Sequence, residues 1–197
     1  NCSKHTAFFS NQRYNNSFID FFGKEAENSY FIKEKESCLN PGDEDLLLLL
    51  EKELKKKQRK LFVVLHTYGS HFSYKERYPS DFAYFKPDSP LDVSVKYREN
   101  LKNAYDNTIR YTDYFLFRLM SLLKQEQAQT AFVYTSDHGE DLYDDDRRLF
   151  LHASPVPSAY QIYVPFVVWT SDEYQTAYSG KVQALEANRL KNISSSS

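Results

Sequence analysis

The sequence predicts an α/β fold, a mainly parallel sheet flanked by helices. Two observations carry this. Short apolar runs, Leu61-Phe-Val-Val-Leu65, Ala131-Phe-Val-Tyr-Thr135 and Pro165-Phe-Val-Val-Trp169, have the continuous apolar character of strands buried on both faces of a parallel sheet. Between the first two lies Ser94 to Gln125, where Leu101, Tyr105, Ile109, Thr112, Leu116, Leu119 and Leu123 recur at helical spacing. Strands separated by helices favour parallel pairing, with Leu61–Leu65 and Ala131–Thr135 as interior neighbours or near-neighbours.

The remaining elements follow in order. Thr6 to Ser10 reads as a strand and Ser17 to Lys24 as a short helix with Phe18, Phe21 and Phe22 on one face. Ser29 to Lys33 reads as a further strand. Asp43-Glu-Asp45 opens a helix whose Leu46, Leu47, Leu50 and Leu54 share a face. Its acids at the start and Lys55-Lys-Lys57 at the end suit the helix dipole, so the lysines read as a solvated terminus. Polar loops run from Thr67 to Leu91 and from Ser136 to Ile162, and Val182, Leu185, Leu190 and Ile193 suggest a last helix.

Composition narrows the function. The chain has 197 residues, 41% hydrophobic and 26% charged, which excludes a disordered chain and allows one sizeable domain over 1–197. A net charge of −2 gives no electrostatic case for nucleic acid. No apolar run approaches the roughly 18 residues of a membrane-spanning helix, and no secretory leader is visible. Cys2 and Cys38 are either one bridge or two unpaired small residues.

Ligands of parallel α/β sheets bind at the carboxyl ends of the strands. His66 and His71 follow Leu61–Leu65, and His138 and His152 lie in the loop after Ala131–Thr135. Asp137-His138-Gly139-Glu140 sets a carboxylate beside an imidazole, a pair suited to zinc, with a glycine to turn the chain. The acidic run Asp141 to Asp146 lacks the ligand pattern and glycine of a calcium loop and reads as solvated. Tyr105-Asp106-Asn107 reads as a hydrogen-bonding face from helix to loop, or as a substrate contact.

Val64-Leu-His-Thr-Tyr-Gly-Ser-His71 with Arg77-Tyr-Pro79, Tyr105-Asp-Asn-Thr108 with Tyr111-Thr-Asp113, Tyr134-Thr-Ser-Asp-His-Gly-Glu140, Phe150-Leu-His152 and Val164-Pro165 occur in one order. Together they resemble the lipid A phosphoethanolamine transferases of the alkaline phosphatase and sulfatase superfamily. The resemblance implies an alkaline-phosphatase-like catalytic domain, incomplete at both ends, using zinc, a threonine nucleophile and a covalent phosphoethanolamine-enzyme intermediate. It implies Asp137 and His138 as zinc ligands and His71 and His152 as catalytic and substrate-binding residues. His66 matches the substrate side, or is a structural histidine at a strand end. The implied donor is phosphatidylethanolamine and the acceptor lipid A or another envelope glycan. The implied location is the periplasmic face of the bacterial inner membrane, through an N-terminal region absent here. The nucleophile and a glutamate ligand match no segment, so the isolated chain is expected to lack turnover. Phe72-Ser73 stands where the pattern has Gly-Pro, and Tyr143 to Asp146 replaces a Gly-Glu-Asn-like turn. The alternatives are a sulfuric or phosphoric ester hydrolase of the same superfamily and a non-catalytic phosphoglycan-binding fragment.

Overall fold

A computed structural model describes residues 4–14, 18–32 and 42–194; Cys2, Cys38 and the side chain of Phe18 lie outside that description. The chain divides into two compact units, Asn1–Leu119 with Leu142–Phe150, and Met120–Asp141 with Leu151–Ser197.

The first unit is built on a three-stranded parallel sheet in the order β2-β1-β3. Its strands are β1 (His5–Ser10), β2 (Asn28–Phe31) and β3 (Leu61–His66). Helix α1 (Phe18–Lys24) connects β1 to β2, and α2 (Asp45–Leu54) precedes β3. Helix α1 approaches β1 through Gly23, where an added Cβ would lie 2.8 Å from the Phe8 ring. Its expected aromatic face is exposed at Phe21 and Phe22, while Asp20 is buried. Helix α2 buries Leu46, Leu47 and Leu50, and its terminal lysines pair with its own acids, Lys55 with Glu51 and Lys56 with Glu53.

Helix α3 (Arg98–Gln125) buries Leu101, Ala104, Asn107, Thr108, Tyr111, Phe115, Leu119 and Leu123. The expected stripe is corrected in its middle: Ile109 faces solvent, and the inward places belong to polar residues. The reason is hydrogen bonding. Asn107 Oδ1 accepts from the backbone N–H groups of Tyr84 and Phe85 at 3.0 and 2.9 Å, and its Nδ2 donates to the Phe85 carbonyl at 3.0 Å. Thr108 Oγ1 donates to Ser70 Oγ at 2.6 Å. Asn107 is thus the helix-to-loop contact that the sequence suggested. Beside it, Tyr78 donates to Asp88, and Lys75 binds the same carboxylate at 2.6 Å. Burial pushes the Tyr78 hydroxyl up to about 12.

The second unit holds an antiparallel pair, β4 (Ala131–Thr135) with β7 (Phe166–Thr170). Strands β3 and β4 are therefore not hydrogen-bonded neighbours among the described residues. Parallel pairing needs a long crossover, usually a helix. Between β4 and β7 the described helix is a single turn, α4 (Ala159–Ile162), and β7 returns antiparallel. Phe132 and Trp169 stack across the pair at 5.8 Å. Burial on both faces is also corrected. Phe62 on β3 is 65% exposed and Val133 on β4 is 60% exposed, and each strand only half-buries its other face among the described residues. After β7, buried Ser171 caps α5 (Asp172–Ala177), and α6 (Ser179–Asn188) follows. Leu190 and Ile193 lie beyond that helix and are exposed. Short strands β5 (Asp141–Leu142) and β6 (Phe150–Leu151) fall where the chain passes from one unit to the other.

Asn107→Ala removes the partners of the Phe85 N–H and carbonyl, while the Tyr84 N–H keeps the Phe82 carbonyl at 2.8 Å, and should destabilise the protein by about 1–3 kcal/mol. A lowered urea midpoint at unchanged m-value checks this. Asn107→Asp keeps an acceptor but sets a second oxygen against the Phe85 carbonyl and buries a charge, so it should not recover the loss.

Candidate functional site

Each unit presents its own group of expected site residues. In the first, the chain leaves β3 at His66, whose Nδ1 lies 2.9 Å from Ser10 Oγ. The turn that follows is held by one carboxylate. Asp43, buried ahead of α2, accepts from Asn11 Nδ2 at 2.8 Å and from the backbone N–H groups of Tyr68 and Gly69 at 2.7 and 2.9 Å. Gly69 adopts φ +57°, which glycine takes without strain. His71 then emerges exposed, its Nδ1 2.6 Å from the Phe72 carbonyl and its ring edge-on to Tyr68 at 5.1 Å. Arg77 lies over the same ring, 4.2 Å from the Tyr68 centroid.

In the second unit, the segment after β4 carries Asp137, His138 and Glu140. The backbone of Gly139 is pressed against α4: its N–H donates to the Gln161 carbonyl at 2.8 Å, and an added Cβ would lie 2.1 Å from the Tyr160 carbonyl oxygen. Only glycine fits there. The tight turn sends His138 and Glu140 to one side, where His152 meets them. His138, Glu140 and His152 each offer a donor atom within 4.8 Å of the others. The two imidazole centroids are 3.7 Å apart, and His152 Nδ1 lies 3.1 Å from Glu140 Oε1.

This group could hold a cation. A carboxylate buried to 6% exposure needs a compensating donor or charge, and His152 stands against it. His138 Nδ1 is 3.0 Å from the Gly139 carbonyl. That contact favours the tautomer with the proton on Nδ1, leaving Nε2 its lone pair. Asp137 is 83% exposed, its Oδ2 3.8 Å from His138 Nε2. Two imidazoles with carboxylates form a nitrogen and oxygen donor set that fits zinc.

Of the sequence-derived candidates, the structure brings His138 and His152 together, with Asp137 beside His138. His66 and His71 belong to the other unit. Glu140 was missed as a site residue although it stood in the same motif; sequence does not show which acid of an acidic stretch is buried. The run Asp141 to Asp146 is corrected in part. Asp141 is buried and accepts a hydrogen bond from Gln161 Nε2, while Asp144 pairs with Lys102 at 2.7 Å.

The chain belongs to the sulfatase family, whose profile, Sulfatase, matches residues 3–192. Within it, phosphoethanolamine transferase EptA of Escherichia coli (strain K12) is 38% identical over 151 residues, 73% of this chain and 27% of that protein. The soluble domain of lipooligosaccharide phosphoethanolamine transferase A from Neisseria meningitidis superposes with a TM-score of 0.81 at 27% identity, over 96% of this chain and 57% of that one. The C-terminal periplasmic domain of EcEptC from Escherichia coli, a complex with Zn, shares the fold with a TM-score of 0.78 at 24% identity, over 89% of this chain and 51% of that one. The chain therefore spans about a quarter of the curated relative and about half of each solved domain.

Gly139→Ala drives a methyl group into a backbone carbonyl that cannot swing aside. It should cost at least about 1–3 kcal/mol of stability and abolish tight metal uptake. Urea unfolding and metal titration of the variant check both.

Proposed function

We propose that this chain supplies part of the catalytic domain of a zinc-dependent phosphoethanolamine transferase. The donor is a phospholipid, phosphatidylethanolamine, and the acceptor is lipid A or a related envelope glycan. The reading is supported by kinship with enzymes that bear this activity in their names. The observation that carries it is the convergence of His138, Glu140 and His152. A phosphoryl transfer enzyme needs concentrated positive charge and fixed donors more than it needs covalent chemistry of its own.

In this reading His138 would hold zinc together with Glu140 and His152, with Asp137 as a further anionic oxygen donor beside His138. Bound there, zinc would lower the pKa of a hydroxyl nucleophile and offset charge on phosphoryl oxygens. Glu140 orients His152, as a carboxylate orients a ligating imidazole elsewhere. His71 serves the substrate side, where an exposed imidazole donates a hydrogen bond to a phosphoryl oxygen or a proton to the leaving group. His66 would meet substrate with its Nδ1 engaged by Ser10 Oγ at 2.9 Å. The reading places the site at the periplasmic face of the membrane, with membrane attachment from outside this chain. No helix among the described residues is long and apolar enough to cross a bilayer.

Zinc content separates the roles. His138→Ala, Glu140→Gln and His152→Ala should each weaken zinc binding about 10- to 100-fold or more, and Asp137→Asn should weaken it less. In a bacterium expressing a protein that contains this chain, lipid A should gain phosphoethanolamine, and His138→Ala should prevent it. Unmodified lipid A with the unaltered protein would reject the transferase reading. Full zinc in His152→Ala with lost transfer would return His152 to the substrate side.

A further inference from the structure

We propose that Gln161 is the positioning residue that sets the spacing of the His138–Glu140–His152 cluster; its consequence for zinc rests on the function proposed above. Gln161 ends up buried although it lies in a one-turn helix between exposed residues. That helix is fixed by Ser158, itself buried, whose Oγ and carbonyl both accept from the Gln161 N–H at 3.2 Å. From this anchored place Gln161 makes three outward contacts. Its backbone carbonyl accepts from the Gly139 N–H at 2.8 Å. Its Nε2 donates to Asp141 Oδ2 and lies 3.5 Å from the Leu151 carbonyl oxygen.

Those three points bracket every member of the cluster. Gly139 separates His138 from Glu140, Asp141 follows Glu140, and Leu151 precedes His152. The amide therefore ties together two stretches of chain that carry the donors and that are remote in sequence. Asp141 is among the most buried residues of the protein, and its carboxylate takes its hydrogen bond from this amide. Loss of that donor leaves a buried anion next to the peptide of Glu140, and the two stretches must move to reach water. A displacement of that kind separates donor atoms that now lie within 4.8 Å.

The interaction can be inverted. Gln161→Glu removes the donor and sets a second carboxylate against Asp141. Adding Asp141→Asn returns an amide donor on the opposite side of the same hydrogen bond, with the net charge of the unaltered pair. Two readouts on the full chain test the proposal. In zinc-free protein, the nuclear Overhauser contact between the His138 and His152 rings, now 3.7 Å apart, reports the spacing itself. Chelator competition reports zinc affinity. Gln161→Glu should lose the ring contact and bind zinc about 10- to 100-fold more weakly, and the double variant should restore both. An unchanged ring contact in Gln161→Glu, or a double variant no better than the single one, overturns the proposal. Rescue of the ring contact in a protein that takes up no zinc at these residues supports the role of Gln161 and overturns the metal reading instead.

Discussion

Polar groups in irregular loops must find partners, and here buried residues provide them, Asp43 and Asn107 through their side chains and Gln161 through both its backbone carbonyl and its amide. Three such anchors recur. Asp43 gathers the N–H groups of Tyr68 and Gly69 at the end of β3. Asn107 gathers those of Tyr84 and Phe85 from the middle of α3. Gln161 receives the Gly139 N–H and reaches Asp141. Each anchor sits on or beside a regular element, and each holds a loop with no ladder of its own. Leaving such a group without a partner costs about 1–3 kcal/mol, so the loops keep one conformation only while their anchors hold.

That constraint explains how the candidate site can exist in a loop at all. Donor atoms for a cation must stay within a few tenths of an ångström of their places, which a free loop does not do. The glycine at 139 allows contact between backbones, and the contact aims its two neighbours together. Glu140 lies in the interior against His152, and His138 turns one nitrogen to the Gly139 carbonyl. The same logic holds for the His71 loop, whose path is set by Asp43 and Gly69 before the histidine is reached.

Most of the elements were legible because apolar periodicity reports burial. Strands β1, β3, β4 and β7 and helices α1 to α3 fall close to their expected ranges. The central stripe of α3 was misplaced because Asn107 and Thr108 face inward to bond loop groups, a cause that hydrophobic spacing does not register. The continuous apolar runs suggested burial on both faces, yet Phe62 and Val133 stay exposed, since a run of this kind does not reveal what covers it. At the candidate site, His138 and His152, which motif and position singled out, come together, although the sequence set His152 on the substrate side and Asp137 with His138 on the metal. Glu140, Asp141 and Gln161 were not singled out. Their importance comes from burial and from contacts across long sequence separation, and acids in a run look alike until one of them is enclosed.

The central claim is that His138 and His152 meet around one cation with carboxylate oxygen beside them. X-ray absorption at the zinc edge, on the zinc-loaded chain, tests it most directly. The account predicts a first shell of nitrogen and oxygen alone at about 2.0–2.2 Å, with outer scattering from two imidazole rings that falls to one ring in His152→Ala. A shell containing sulfur, or a spectrum with two rings that His152→Ala leaves unchanged, would contradict it.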